Sequence, residues 1–254
     1  MSRSQVIDFS KIKISCGDCN IHELCLPRGL ELQDLEQLEK VIKRTHPLQT
    51  GDYLFRAGQE FQYIYALRSG SIKLNLMDEQ GNDQILGFYF PGEILGLDAI
   101  DKKQHLCSAV ALETSSYCAF SFSNLSEICQ LVPGLQNQML RLMSRELTHE
   151  NELLLMIGTK NAEERIATFL ITLSSRFHQL GYSAKEIKLS MSRQEIANYL
   201  GLTIETVSRI MSRFQREQLI SVNRKQVNIK NPDVLKHISS GSNAGSGKVQ
   251  WYKQ

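Results

Sequence analysis

Short apolar segments alternate with glycine-containing turns over residues 47–126. The segments are YLFRAG, YIYALRSG, SIKLNLM, DQILGFYF, CSAVALE and SSYCAFSF. Strands this short, at this spacing, are typical of an antiparallel barrel or roll. The sequence EQGNDQ around Gly81 predicts a hairpin loop. We therefore expect a β-roll domain over residues 31–132, which opens with a short amphipathic helix over residues 31–45.

From Pro133 the hydrophobic pattern becomes helical for about 25 residues. Steps of three and four residues define the a/d seam of a coiled coil at Leu140, Met143, Leu147, Glu150, Leu154 and Ile157. We interpret residues 133–160 as a dimerisation helix; packing of this stripe on the β-roll alone is the alternative. In a parallel homodimer Glu150 would face its own copy, and this repulsion predicts a marginal, switchable association.

A helix-turn-helix is the strongest local signal in the C-terminal part of the chain. Ser192 and Glu195 have the spacing of a capping box that opens a first helix. Gly201 suits the tight turn, and Thr203 suits the N-cap of a second helix. The alternating sequence LISVNRKQVNIK predicts a β-hairpin wing. We therefore expect a winged helix-turn-helix domain over residues 161–238, and the whole chain to be of the α+β class.

The polar face of the second helix predicts contacts with the major groove of DNA. Arg209 suits guanine, Glu205 suits cytosine, and Ser208 suits either base. Phosphate contacts, which position a protein without specifying sequence, are expected from Arg193, Thr203, Thr206 and Arg213. The alternative interpretation is an ordinary solvated helix face.

Charge is distributed unevenly along the chain. Residues 1–160 contain 15 Lys and Arg against 20 Asp and Glu, whereas residues 161–254 contain 14 against 7. A basic C-terminal part favours a polyanionic partner. No run approaches the roughly 18 apolar residues of a membrane span, and no secretory signal is present, so we expect a cytoplasmic protein without a membrane partner. The Gly/Ser-rich residues 239–254 are expected to form a flexible tail.

Three of the six cysteines lie within ten positions in residues 1–30, which we interpret as a cluster-binding loop. Cys16, Cys19 and Cys25 have C-x2-C-x5-C spacing, so their thiolates can converge on one inorganic centre. A fourth ligand must then come from elsewhere in the chain. Zinc and an iron–sulfur cluster both accept four thiolates, and the spacing does not choose between them.

The chain resembles the fumarate-and-nitrate-reduction (FNR) regulators of the cyclic-AMP-receptor superfamily, over roughly residues 12–235. The motifs that carry the resemblance are CGDC and LCLP within 16–27, LFRAGQ at 54–59, ALRSGSIK at 66–73, ALETSSYC at 111–118, LMSRE at 142–146, NAEERIATFL at 161–170 and NYLGLTIETVSR at 198–209. A combination of this length is much more specific than any single motif.

The resemblance implies an oxygen-labile [4Fe–4S] cluster held by Cys16, Cys19, Cys25 and Cys118. In that family the intact cluster favours a homodimer that binds DNA, and oxygen degrades the cluster and weakens the dimer. The implied function is an oxygen-sensing global regulator that activates or represses genes of anaerobic metabolism.

Two sets of contacts are also implied by the resemblance. Glu205, Ser208 and Arg209 would read an inverted repeat with TTGAT half-sites, and loops at residues 79–83 and 97–101 would contact RNA polymerase.

Cys107 and Cys129 match no ligand of that family, so a small buried thiol is their expected role. His22 would suit a Cys3His zinc site, but with a fourth cysteine at the family position we interpret it as a polar loop residue.

Competing functions leave parts of the sequence unexplained. A cyclic-nucleotide receptor needs an arginine after the Gly92–Glu93 turn, yet no arginine occurs from residue 69 to residue 140. A haem sensor using His46 or His105 leaves the cysteine cluster without a role. No catalytic constellation is evident, so an enzyme is not expected. A structural zinc site or a thiol redox switch on the same regulator scaffold stays open.

Overall fold

The computed structural model describes residues 16, 19, 21, 24, 25, 28, 31–40, 42–44, 46–77 and 80–241. His22, Glu79, residues 242–254 of the expected tail and most of the cysteine-rich loop therefore lie outside the described residues. The chain divides into two units, residues 1–152 and residues 153–254.

Within its described residues, the first unit is built on eight short strands. Their bounds are β1 Ile42–Arg44, β2 Tyr53–Phe55, β3 Tyr63–Ser69, β4 Ile72–Met77, β5 Asp83–Tyr89, β6 Ile94–Leu95, β7 Ser108–Ala111 and β8 Ser116–Ser121. One sheet has the order β1-β8-β3-β6 and the other the order β2-β7-β4-β5. Every pairing is antiparallel, which confirms the predicted β-roll.

Two hydrophobic clusters fill the roll. One contains Phe55, Leu67 and Ile72, all three of which are fully buried. The other is centred on Ile64 and Phe120 and extends to the helices at both ends of the unit. Burial alternates along β4 and β7. Strand β3 instead buries four consecutive residues, because Ile64 and Ala66 belong to one cluster and Tyr65 and Leu67 to the other.

The predicted helix over residues 31–45 is wrong in its second half. Helix α1 covers only Leu32–Glu39, and Lys40 is its C-cap. Ile42 pairs instead with Phe120 in strand β8, because the isoleucine completes the edge of a sheet whose partner strand is almost 80 residues away. Periodicity within one segment carries no information about such a distant partner.

Two helices follow the strands in sequence. Helix α2 covers Phe122–Leu131, and helix α3 covers Pro133–Thr159 in agreement with the predicted long helix. One face of α3 contributes Leu135 and Leu142 to the second hydrophobic cluster. The long helix therefore packs on the roll through residues outside the a/d seam.

The second unit contains the remaining elements. They are α4 Ala162–Gln179, β9 Glu186–Lys188, α5 Arg193–Leu200, α6 Ile204–Arg216, β10 Ile220–Asn223, β11 Gln226–Ile229 and α7 Pro232–Ser239. The three strands form one antiparallel sheet in the order β10-β11-β9, which is the predicted wing with one further strand. Among the described residues, no helix is long and apolar enough to cross a membrane.

Candidate DNA-binding and cofactor sites

Helices α5 and α6 form the predicted helix-turn-helix. The Ser192 hydroxyl accepts the Glu195 amide at 3.2 Å, and the Glu195 carboxylate accepts the Ser192 amide at 2.7 Å, so the capping box is complete. Gly201 ends α5 with φ of 62°, a left-handed conformation that glycine adopts without steric cost. The Thr203 hydroxyl then accepts the Thr206 amide at 3.2 Å and caps α6. Local sequence thus fixes both helix starts and the turn.

The apolar side of α6 anchors it in the unit. Val207 and Phe214 are fully buried, and Ile210 and Met211 are buried between them. These positions recur at three and four residues, so a single stripe faces the core. The opposite side of the helix is consequently presented to solvent.

The three predicted base-reading residues lie on that solvent side. Glu205 and Arg209 are exposed, and Ser208 is half-buried. Of the predicted phosphate contacts, Arg193 and Thr203 are exposed and Thr206 is half-buried. These three base-reading candidates and three phosphate candidates all lie in α5, in α6 or in the cap of α6.

Arg213 has a different environment from the other predicted phosphate contacts. Its guanidinium forms an ion pair with Glu163 of α4, and its Nε lies 3.6 Å from the Glu217 carboxylate. The side chain thus ties α6 to α4 within the unit. Sequence reasoning missed this partner because Glu163 is fifty residues away along the chain.

The wing adds a basic surface. Lys188, Arg224 and Lys225 line one shallow depression together with two amide side chains, Asn223 and Gln226. Arg224 holds the hairpin turn with φ of 55°. The sequence indicated only a basic turn, because Lys188 joins it through the pairing of β9 with β11.

The long helix α3 exposes its a/d seam within the single chain. Leu140, Leu147 and Leu154 are 58%, 61% and 69% exposed, and Met143 is 38% exposed. Glu150 is exposed as well, and Ile157 is half-buried. The alternative that this stripe packs against the roll is therefore wrong, since Leu135 and Leu142 occupy that interface.

The four candidate cluster cysteines are at least half-buried. Cys16 and Cys25 are each 7% exposed, and Cys19 and Cys118 are intermediate. Cys118 lies in the middle of β8, where it pairs with Ala66 of β3. Cys25 belongs to the hydrophobic cluster against which Cys118 packs. A cysteine from the N-terminal segment and one from the roll thus share one buried environment.

Specific contacts hold the N-terminal segment on the first unit. The Cys16 amide donates to the Glu39 carboxylate at 2.5 Å, and the Gln138 side chain donates to the Cys25 carbonyl at 3.3 Å. A Cβ at Gly92 would lie 2.7 Å from the Leu24 Cβ, so only glycine allows this close approach. Sequence reasoning missed Glu39, Gln138 and the role of Gly92.

The donor set fits a thiolate-bound inorganic cofactor in its chemistry. Thiolates are the protein ligands that iron–sulfur clusters take, and partial burial limits access of water to them. Within the part of the chain that the structure describes, no three His, Cys, Asp or Glu side chains are grouped closely enough to hold a metal ion. The cysteines therefore fit an iron–sulfur cluster by the type of ligand and by the environment that Cys25 and Cys118 share.

The surroundings of Cys107 differ from those of the four candidate cluster cysteines. It is 2% exposed, and its thiol donates to the Asp98 carboxylate at 3.4 Å. Burial and the Asp98 charge raise the pKa of this thiol well above its ordinary range. The expected role of a buried thiol is confirmed for Cys107, whereas Cys129 is only half-buried.

Asp98 organises the loop that carries Cys107. Its carboxylate accepts the Leu106 amide at 2.9 Å and lies 3.3 Å from Nδ1 of the buried His105. Burial alone would raise the pKa of Asp98, but the hydrogen bonds from His105 and the Leu106 amide outweigh it and lower the pKa.

A β-roll, a long helix and a winged helix-turn-helix, in this order along the chain, define a DNA-binding transcription regulator of the CRP type. Two family models agree with that architecture. The cyclic nucleotide-binding domain matches residues 45–131, and the Crp-like helix-turn-helix domain matches residues 164–238. The prediction of a transcription regulator rather than an enzyme is thereby confirmed.

Whole-chain relatives identify the family. The transcriptional activator protein Anr of Pseudomonas protegens is 45% identical over 230 residues, which cover 91% of this chain and 94% of that protein. The fumarate and nitrate reduction regulatory protein of Escherichia coli is 44% identical over 226 residues, with 89% and 90% covered. The chain belongs to the FNR family of regulators, as its motifs predicted.

The fold has a close counterpart among solved structures. FixK2 from Bradyrhizobium japonicum aligns with a TM-score of 0.72 and 25% identity, over 82% of this chain and all of that one.

Proposed function

We propose that this regulator responds to oxygen through a [4Fe–4S] cluster bound by Cys16, Cys19, Cys25 and Cys118, and that the cluster-bearing form dimerises on DNA. The observation that carries the proposal is the shared buried environment of Cys25 and Cys118. Ligands from both cysteines would join residues 1–30 to the roll over residues 31–132. When bound, such a cluster supplies oxygen-labile chemistry within a thiolate cage.

The residues of the chain have separate roles in this proposal. Glu39 and Gln138 hold the backbone at Cys16 and Cys25 through the two hydrogen bonds described above. Gln138 belongs to α3, so the cysteine-rich segment and the long helix are in direct contact. A change in the conformation of that segment would therefore alter its contact with the start of the long helix.

Residues 133–160 are proposed to form the dimer interface. The exposed leucines of the seam support this, because a contiguous apolar patch exposed on a single chain is typical of a protein–protein interface. Glu150 interrupts the apolar stripe, and its repulsion from its own copy keeps the association weak enough to be switched.

DNA recognition is proposed for residues 161–238. Glu205, Ser208 and Arg209 would contact bases of an inverted repeat with TTGAT half-sites, since their end of α6 is the one that enters the major groove in this motif. Arg193, Thr203 and Thr206 would bind phosphates. The two threonines lie in the N-terminal cap of α6. Arg213 would do so only from within its ion pairs with Glu163 and Glu217.

The remaining assignments follow from the same family membership. Loops at residues 79–83 and 97–101 are proposed to contact RNA polymerase, in the cytoplasm where bacterial DNA is transcribed. Ser239, at which the expected flexible tail over residues 239–254 begins, is the last residue of α7, and its carbonyl accepts a hydrogen bond from Lys160 Nζ at 2.8 Å; the part of that tail beyond residue 241 lies outside the described residues. A cyclic nucleotide is not proposed as ligand, because residues 69–140 contain no arginine to pair with its phosphate.

The test is DNA binding by the full chain before and after exposure to air. The probe is a duplex with two TTGAT half-sites as an inverted repeat, titrated under strict exclusion of oxygen and again after air is admitted. Cys118→Ser removes a proposed ligand, and Cys129→Ser is a matched control because both thiols are half-buried.

We expect the wild type and Cys129→Ser to bind without oxygen and to lose affinity in air. We expect Cys118→Ser to bind weakly under both conditions. Equal binding in the presence and absence of air by the wild type would contradict the proposal, and so would normal air-sensitive binding by Cys118→Ser.

A further inference from the structure

The guanidinium of Arg165, in the first turn of α4, donates three hydrogen bonds to main-chain carbonyls. Nη2 donates to Ile157 at 2.6 Å, Nε to Lys160 at 2.9 Å and Nη1 to Leu200 at 3.0 Å. These carbonyls belong to the last turn of α3, the connection before α4, and the last residue of α5. One half-buried side chain thus joins three parts of the second unit.

The Ile157 and Lys160 carbonyls need this donor because the amides that would serve them in a continuing helix are engaged elsewhere. In a continuing helix the Asn161 amide would serve Ile157, but it donates to the Glu164 carboxylate at 3.0 Å. The Glu164 amide would serve Lys160, but it donates to the Asn161 side chain at 3.1 Å. The capping box of α4 therefore leaves carbonyl acceptors at the end of α3, and a cation at a helix C-terminus also stabilises the helix dipole.

The position of Leu200 makes this junction relevant to DNA binding. Leu200 ends α5, and α6 begins only four residues later at Ile204. A single guanidinium therefore connects the last turn of α3 to the end of α5, next to the turn of the helix-turn-helix. A displacement of the end of α5 from the last turn of α3 would break the bond to Ile157 or the bond to Leu200, and α6 follows α5 directly in the helix-turn-helix.

We propose that Arg165 is a positioning residue that fixes the recognition helix relative to the end of the long helix, so that two copies of the chain can engage two half-sites together. The inference rests on the proposed dimer and inverted repeat. One half-site requires only one correctly folded α6. Two half-sites require two α6 helices at a set spacing, and the second contact is then intramolecular and adds 10²- to 10⁴-fold in affinity.

The experiment compares two DNA probes with the full chain under exclusion of oxygen. One duplex carries the TTGAT inverted repeat, and the other carries one such half-site with the second randomised. Arg165→Met keeps the aliphatic stem but removes all three donors, and Arg165→Lys keeps the charge without the planar fork. Lys160→Met is the control, because Lys160 Nζ donates to Thr168 and to Ser239 at 2.8 Å each, neither of which lies in α3 or α5.

We expect Arg165→Met to lower the ratio of repeat to half-site affinity at least tenfold, with half-site affinity within about twofold of wild type. Arg165→Lys should give an intermediate ratio, and Lys160→Met should keep the wild-type ratio. Thermal unfolding of each variant shows whether the DNA-binding unit stays folded.

Two results would overturn the inference. One is an unchanged ratio in Arg165→Met; the other is a proportional loss on both probes together with a lowered unfolding midpoint, which would make Arg165 a purely stabilising residue. A wild-type chain that does not prefer the repeat to the half-site would overturn the proposed dimeric function, and this inference with it. A preference present in the wild type and kept in Arg165→Met would overturn the inference alone.

Discussion

Truncation of a seam leucine tests the dimer interface quantitatively. Leu147 is 61% exposed in the single chain. Complete burial of a leucine side chain contributes about 1.5–3 kcal/mol, so burial of the exposed part of Leu147 contributes about 1–2 kcal/mol per chain. A symmetric dimer loses this twice, so Leu147→Ala should cost about 2–4 kcal/mol of association free energy. The dissociation constant of the dimer should then rise roughly 30- to 700-fold.

Leu155→Ala is a closely matched control for this change. Leu155 is 63% exposed and lies on the same helix, but it falls outside the a/d seam. Sedimentation equilibrium of the cluster-loaded chains without oxygen measures both dissociation constants. Leu155→Ala should change the constant by less than about threefold. Equal weakening by the two variants, or no weakening by Leu147→Ala, would refute the assignment of the seam.

Three further predictions concern other parts of the chain. Glu150→Ala removes like charges that face each other in the dimer and should raise the dimer fraction in air severalfold; unchanged sedimentation would contradict this. Arg209→Ala should cost about 1–3 kcal/mol of discrimination between TTGAT and altered half-sites, whereas Arg216→Ala, an exposed arginine at the other end of α6, should weaken both alike. Asp98→Asn should lower the free energy of unfolding by about 1–3 kcal/mol at pH 7. The folded-state pKa of Asp98 is below its ordinary value of 3.8, so this loss of stability should persist as the pH falls to about 4 and should shrink only at lower pH. Urea titrations of wild type and variant at each pH measure the difference. A difference that has already disappeared at pH 5 would contradict the lowered pKa.

The DNA-binding unit could be predicted closely because its signals are local. The Ser192–Glu195 capping box, Gly201 and Thr203 each act within four residues of sequence, and the structure has all of them. The strands of the roll were predictable for the same reason, since short apolar runs bounded by glycine-containing turns are local features of the sequence.

The errors and omissions share a physical cause, which is dependence on distant partners. Residues 42–44 continue a helical pattern, yet they form a strand because β8 offers an edge. In the sequence Arg213 has the pattern of an exposed helical arginine, and only the fold places Glu163 beside it. The three carbonyl partners of Arg165 come from three separate elements, so no spacing in the sequence indicates them.

The cysteine site is intermediate between these cases. The spacing of Cys16, Cys19 and Cys25 is local and indicates an inorganic centre. The fourth position, Cys118, came from resemblance to a family, because 93 residues separate it from Cys25. The packing of Cys118 against the cluster that contains Cys25 is information that only the fold provides.

The most direct test of the central claim is the iron and acid-labile sulfide content of the chain after strictly anaerobic purification, with visible absorbance followed as air is admitted. The account predicts about four iron and four sulfide per chain, and bleaching in air together with loss of the dimer. Zinc at about one per chain, or absorbance that is indifferent to air, would contradict the oxygen-responsive cluster and leave the DNA-binding regulator standing.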